Sequence, residues 1–203
     1  GLPEKFMISS KGGGMLANTI GDGIFTGVLA AKHKKMKELE ITTSDTSTLG
    51  KFVGYYSEHC HMQVFKALHL KDISHIRALP VEFDKESQNF KLKDSYIDVI
   101  EEDVKNGLIP FFFGSCIGTT STGAFDDIAK ISEICKKHNL KLIVDNTFSP
   151  LQISPIHLGA DIVIHSLTKF INGSSDTVGG VYCASQQFID DIKNVNNGSC
   201  MLL

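Results

Sequence analysis

Arginine is almost missing from this chain. Arg77 is the only one in 203 residues, and lysine supplies the rest of the positive charge. A guanidinium grips a carboxylate or phosphate through a rigid, two-pronged fork, whereas an ammonium is a point charge. A two-point clamp on a substrate carboxylate therefore has a single candidate. Cysteine is sparse and unpaired in pattern. Cys60, Cys116, Cys135, Cys183 and Cys200 are odd in number and show no C-x-x-C spacing, so they read as free thiols of a cytoplasmic protein. No apolar run approaches the roughly 20 residues that a membrane-spanning helix needs. The net charge of −3 offers no basic excess to attract nucleic acid or an anionic membrane. A signal peptide is also missing: the opening GLPEKF reads as the interior of a longer protein, and the closing NNGSCMLL lacks a finishing element.

What is present is a globular composition, 42% hydrophobic and 21% charged, on a length suited to one domain. Helix and strand signals alternate. Residues 19–36 read as a helix that starts at Asn18 or Thr19 and ends in lysines, which suit the negative end of its dipole. The polar stretch 38–50 reads as a loop or surface helix, 51–57 as a strand and 62–70 as a helix. A strand is expected over 75–83, an amphipathic helix over 93–106 closed by Gly107, and a strand buried on both faces over 109–117. A helix over 126–138, strands over 140–145, 161–166 and 177–185, and a helix over 186–195 complete the order. This alternation predicts an α/β fold on a mostly parallel sheet, whose ligands sit at the carboxyl ends of strands. Four polar clusters fall at such ends: 58–61, 118–120, 145–147 and 166–169.

The chemistry these clusters could carry differs from one to the next. In HSLTKF (165–170), Lys169 follows a buried strand, with Ser166 and Thr168 beside it. The two hydroxyls could hold a phosphate while the amine attacks an aldehyde; a solvated lysine in a turn is the plainer reading. In LIVDN (142–146), Asp145 closes an apolar run. A carboxylate there is costly unless paired, and a protonated pyridine nitrogen would pair it; so would a loop amide. KGGGMLANTIGDG (11–23) places glycines ahead of a helix start, as a cradle of free amides for an anion or as a flexible turn. It has neither the lysine of a P-loop nor a preceding strand, which counts against nucleotide and NAD binding. In SEHCHMQ (57–63), His59, Cys60 and His61 have no second cluster to complete a zinc site, so no metal is expected. A histidine there could stack on a flat cofactor or cap a loop. Thr119 and Thr120 end the most buried strand, where a hydroxyl could bond a cofactor or cap the next turn.

Taken together, these motifs resemble two related families. GLPEKF, GGGMLANT, YSEHCHMQV, GLIPFFFGSCIGTTSTGAFDDI and ICKKHN make residues 1–137 similar to the aromatic amino-acid, or group II, decarboxylases that use pyridoxal 5'-phosphate (PLP). VDNTFSP, LGADIVIHSLTKFINGSSDTVGGVYC and NNGSCMLL make residues 140–203 resemble the PLP enzymes of Cys/Met metabolism, such as methionine γ-lyase and cystathionine γ-synthase. Asn146, Thr147, Thr168 and Phe170 depart from the Asp-Ala-Ala and His-Lys-Trp expected of a decarboxylase, and Ser174 from the Cys/Met pattern. The chain thus reads as a hybrid with a seam near 126–145. The resemblance implies fold type I, a three-layer α/β/α architecture on a mainly parallel seven-stranded sheet. It implies one PLP-binding large domain over 1–203, incomplete at both ends, that forms a homodimer or higher homo-oligomer. It further implies that Lys169 forms the Schiff base, Asp145 partners the ring nitrogen and His61 stacks on the ring. Thr19, Ser166 and Thr168 would bind phosphate, and Thr119 would lie near the ring hydroxyl or substrate. The expected function is decarboxylation of an aromatic amino acid, with carbon–sulfur lyase chemistry and a catalytically inert PLP-binding core as alternatives.

Overall fold

The computed structural model describes residues 12–174 and 176–195. The GLPEKF motif, Cys200 and NNGSCMLL lie outside them. Seven strands form one sheet in the order β1-β9-β8-β7-β6-β2-β3. These are β1 (Gly12–Ala17), β2 (Phe52–Ser57), β3 (His75–Leu79), β6 (Ile109–Cys116), β7 (Lys141–Asp145), β8 (Ile162–Ser166) and β9 (Gly180–Ser185). From β3 to β8 every neighbour is parallel; β9 runs opposite to both β8 and β1. The sheet is thus mainly parallel and seven-stranded.

Period-two alternation divides the core between the two faces. Phe52, Phe112, Ile143, Ile162 and Ile164 pack on one side with α1 (Ile20–Glu38), α3 (Gln63–Leu70) and α6 (Gln186–Val195). Val53, Phe113, Leu142, Val144 and Val163 pack on the other with α4 (Tyr96–Lys105) and α5 (Ile128–Lys137). Successive side chains of a strand point to opposite faces, so continuous apolar runs such as IPFFFGSC need helices on both. The outcome is the three-layer α/β/α arrangement. On the first face α3 lies very close to the sheet. A Cβ on Gly54 or Gly114 would come within 2.6 Å of Leu68 and 2.8 Å of Val64 respectively.

Thr19 caps α1: its hydroxyl accepts from Asp22 N while Asp22 accepts from Thr19 N, a reciprocal pair that satisfies two otherwise orphaned amides. Lys35 and Lys37 occupy the last turn. The 38–50 stretch contains only one short helix, α2 (Thr46–Leu49).

Two expectations are corrected. The glycines of the 11–23 segment do not form a turn: Gly12–Ala17 is the edge strand β1, paired residue by residue with β9, and it leads into the N-terminus of α1. The 75–83 stretch is two strands rather than one. Pro80, which has no N–H to donate, ends β3, and β4 (Val81–Asp84) turns back on β5 (Asn89–Leu92) as a separate hairpin. Its turn is closed by Asp84, which accepts from Glu86 N and Ser87 Oγ.

Arg77 lies mid-strand on β3 and is paired there. Its Nε and Nη2 donate to Asp103 of α4 at 3.1 and 2.9 Å, and Tyr55 Oη donates to the same carboxylate at 3.1 Å. Asp103 is 5% exposed, so its removal would strand a buried phenol and a guanidinium together. Asp103→Ala is expected to cost about 2 to 3 kcal/mol of stability, read as a lower urea midpoint. A midpoint equal to the parent's would show that this network holds nothing.

Candidate active site

The carboxyl ends of β2, β6, β7 and β8 stop at a common edge, and a cavity of about 440 Å³ opens there. Each of the four polar clusters lines it: His61 after β2, Thr119 and Thr120 after β6, Asp145 at the end of β7 with Thr147 just after it, and Ser166 at the end of β8 with Lys169 in the turn that follows. Ile20 brings the N-terminus of α1 to the same wall. Thr19 and Thr168 stand one residue outside the lining. Thr19 is occupied as the α1 cap, and Thr168 Oγ1 accepts from Gly179 N at 3.2 Å.

Among the described residues, Asp145 is the one carboxylate that lines the cavity. Its Oδ1 accepts from Thr147 N at 3.0 Å and from Thr147 Oγ1 at 2.6 Å. Its Oδ2 has no hydrogen-bond partner among the described residues. Burial pushes this carboxyl up from its ordinary value, opposed by the two Thr147 bonds and by the nearby His165 and His61. Lys169, in the single turn Leu167–Ile171, also lines the cavity, with no ion pair or hydrogen bond at Nζ among the described residues. His61 Nδ1 accepts from Gln63 N at 3.3 Å, so the neutral ring carries its proton on Nε2.

The neighbouring groups are engaged elsewhere. His59 Nδ1 meets Thr122 Oγ1 at 3.2 Å and its ring lies 5.2 Å from that of Phe90. Cys60 points to Gly114 O, and its thiol is pushed up by its hydrogen bond with Cys116 and by burial. His59, Cys60 and His61 thus diverge. Thr119, 4% exposed, accepts from Ala124 N and bonds Thr122 Oγ1 at 2.9 Å.

Five residues that shape the site carried no site role from sequence: Thr147, Phe148, Phe170, Gly118 and Asp126. Thr147 joins Asp145 to β8, since its Oγ1 also accepts from Ser166 N at 2.9 Å. Phe148 and Phe170 form an aromatic wall, with ring centroids 5.3 Å apart. Gly118 makes room for that wall: it has a φ of +83°, and a Cβ there would sit 2.6 Å from Phe148 Cβ. Asp126, buried behind the cavity, accepts from Ser57 Oγ, Ser115 Oγ and Cys116 N, tying the ends of β2 and β6 together. A D-x-T pattern at a strand end is the only sequence signal for any of these, through the short-range turn it favours.

The conserved domain of pyridoxal-dependent decarboxylases matches residues 1–188. The chain belongs to that family. The family match runs across the 126–145 stretch, where α5 and β7 continue the sheet in regular parallel register with β6. Aromatic-L-amino-acid decarboxylase of Manduca sexta is 33% identical over 154 residues, 73% of this chain and 29% of that protein. Histidine decarboxylase of Mus musculus is 36% identical over 156 residues, 73% of this chain and 23% of its own length. Methionine gamma-lyase of Arabidopsis thaliana is 35% identical over 115 residues, 54% of this chain and 26% of that protein. The chain thus spans about a quarter of the curated relatives it matches. Two plant structures show the fold. Catharanthus roseus tryptophan decarboxylase with L-tryptophan has a TM-score of 0.80 and 24% identity, over 96% of this chain and 42% of that one. Oryza sativa TDC with PLP and tryptamine has a TM-score of 0.81 and 17% identity, over 95% and 40%. Fold type I is thereby established.

The cofactor of this family is PLP, and the cavity fits it on its own chemistry. A half-buried carboxylate with one unpartnered oxygen suits a protonated pyridine nitrogen, an unpaired lysine suits an aldehyde, and the positive end of the 19-residue α1 suits a phosphate.

The raised Asp145 carboxyl makes a stability prediction for the chain without cofactor. A carboxyl whose folded pKa lies above its unfolded value gives full stability at acid pH and loses it as pH rises past about 4. Asp145→Asn keeps an oxygen for Thr147 but removes that loss. The variant should match the parent in Tm below about pH 4 and exceed it increasingly toward neutrality. A constant or reversed difference would contradict the burial cost.

Proposed function

We propose that this chain is the cofactor-binding core of a PLP-dependent lyase that removes carbon dioxide from an aromatic amino acid. The observation that carries the reading is the convergence of Lys169, Asp145 and His61 from three strand ends onto one largely apolar cavity. PLP, when bound, supplies an aldehyde that captures an amine and a ring that accepts the electrons left when a Cα bond breaks. Lys169 would hold the cofactor covalently through Nζ, and Asp145 Oδ2 would keep the proton on the ring nitrogen. His61 would cover one ring face, and Thr119 would sit near the ring hydroxyl or the substrate. Ser166, Thr19, Thr168 and the α1 N-terminus would hold the phosphate.

Within this chain, which covers about a quarter of its relatives' length, no guanidinium is free to reach the cavity, an arrangement that suits a reaction in which the substrate carboxylate leaves. A lyase that removes the Cα proton benefits from a firm hold on the substrate carboxylate, but a decarboxylase must let that group leave as carbon dioxide. Arg77 is the only arginine in the chain and is spent on Asp103. The Phe148 and Phe170 rings offer an aromatic side chain a place to pack. The resemblance to methionine gamma-lyase supports the second reading, a carbon–sulfur lyase. Exposed apolar groups in the loops after β7 and before β9, with Leu151 at 98% and Val178 at 74%, support self-association as a homo-oligomer.

The test supplies the PLP-loaded chain with an aromatic amino acid and, separately, with methionine. Amine and carbon dioxide from the aromatic substrate, with no thiol from methionine, are the expected products. Thiol and a 2-oxo acid from methionine without any amine would replace the proposal with the lyase reading. No product from either would leave an inert PLP-binding core.

A further inference from the structure

The parallel ladder between β7 and β8 ends at the pair Asp145 and Ile164. One further bond, Asn146 N to Ile164 O at 2.9 Å, closes it. Beyond that point the backbone partners run out. Asn146 O accepts from the His165 side chain at 3.0 Å, and the amide of buried Ser166 is satisfied instead by the hydroxyl of Thr147 at 2.9 Å. A side chain thus takes over the acceptor role at the strand edge.

This substitution fixes the direction of the hydroxyl. The Ser166 amide can only donate, so Thr147 Oγ1 receives that proton and spends its own on Asp145 Oδ1, 2.6 Å away. The Thr147 amide donates to the same oxygen at 3.0 Å. Both bonds fall on Oδ1, and none among the described residues falls on Oδ2. One carboxylate oxygen is therefore anchored and the other is left for a donor in the cavity.

We infer that Thr147 is a positioning residue for the cofactor. Its hydroxyl locks the Asp145 carboxylate so that Oδ2 is free for the pyridinium N–H, and it ties that carboxylate to the strand end bearing Ser166 and Lys169. Burial alone would favour the protonated acid, which could not hold a proton on the ring nitrogen. The two Thr147 bonds oppose it, as do His165 and His61, while Cys60 is the other titratable group close to Asp145. Of these, Thr147 alone both bonds the carboxylate and sets which of its oxygens is free.

This inference rests on the PLP reading, and its test has an arm that does not. In the chain without PLP, the Asp145 carboxyl carbon is titrated by NMR in the parent, Thr147→Val and Thr147→Ser. Val keeps the shape and drops the hydroxyl; Ser keeps the hydroxyl. The Asp145 midpoint should move upward in Thr147→Val and return to the parent's value in Thr147→Ser, with circular dichroism unchanged. Should Val not fold, Thr147→Ala leaves room for a water on Ser166 N and should show the same upward shift. In the loaded chain, the resonance of ¹⁵N-labelled PLP should shift toward the unprotonated value in Thr147→Val only. A folded Thr147→Val chain with the parent's Asp145 midpoint would overturn the inference whether or not PLP binds. A shifted midpoint with no bound PLP in the parent would instead defeat the cofactor reading.

Discussion

The parallel register of β2, β6, β7 and β8 brings four strands to an end along one edge, and the cavity with its polar lining depends on that edge. A parallel ladder uses up the backbone polar groups as far as the last paired residue, then leaves the next few to side chains. Asp145, Thr147 and Ser166 satisfy one another there, while Asn146 is held by Ser149, Ile153 and His165. The buried network holds the carboxylate, while the helices on both faces exclude water from behind it. Loss of the register would therefore disturb the cavity before it disturbed the core.

Much of this edge was legible in advance. Apolar runs such as LIVD and DIVIHS announce strands buried on both faces, and a polar residue that closes such a run must stand at an edge. That logic alone placed His61, Thr119, Asp145, Ser166 and Lys169 at strand ends, and all five share one cavity. What stayed hidden depends on contacts between elements distant in sequence. Thr147 gains its role from the Ser166 amide, 19 residues away, and Phe148 and Phe170 meet only because their two strands are neighbours. The glycines of β1 have poor strand propensity and are extended only because β9 pairs with them. The β4–β5 turn was missed because its DKESQ sequence contains neither glycine nor proline.

The two family resemblances meet within one continuous sheet. β6 comes from the decarboxylase-like portion and β7 from the portion similar to the Cys/Met enzymes, yet they pair from Phe112 with Lys141 to Cys116 with Asp145 without a shift. The structural demand at this seam is simple: a helix with an apolar stripe, then a short buried strand ending in aspartate. Sequences of both kinds meet it. Thr147 marks where they differ, since it belongs to the VDNT side and gives the aspartate a hydroxyl partner.

The central claim is that Lys169 is the residue to which the cofactor bonds. Borohydride reduction of the PLP-loaded chain, followed by peptide mapping, tests it most directly. One pyridoxyl group per chain is expected, on Lys169, with loss of the associated visible absorption band in Lys169→Ala. A pyridoxyl group carried mainly by another lysine, such as Lys141 at the far end of β7, would contradict it.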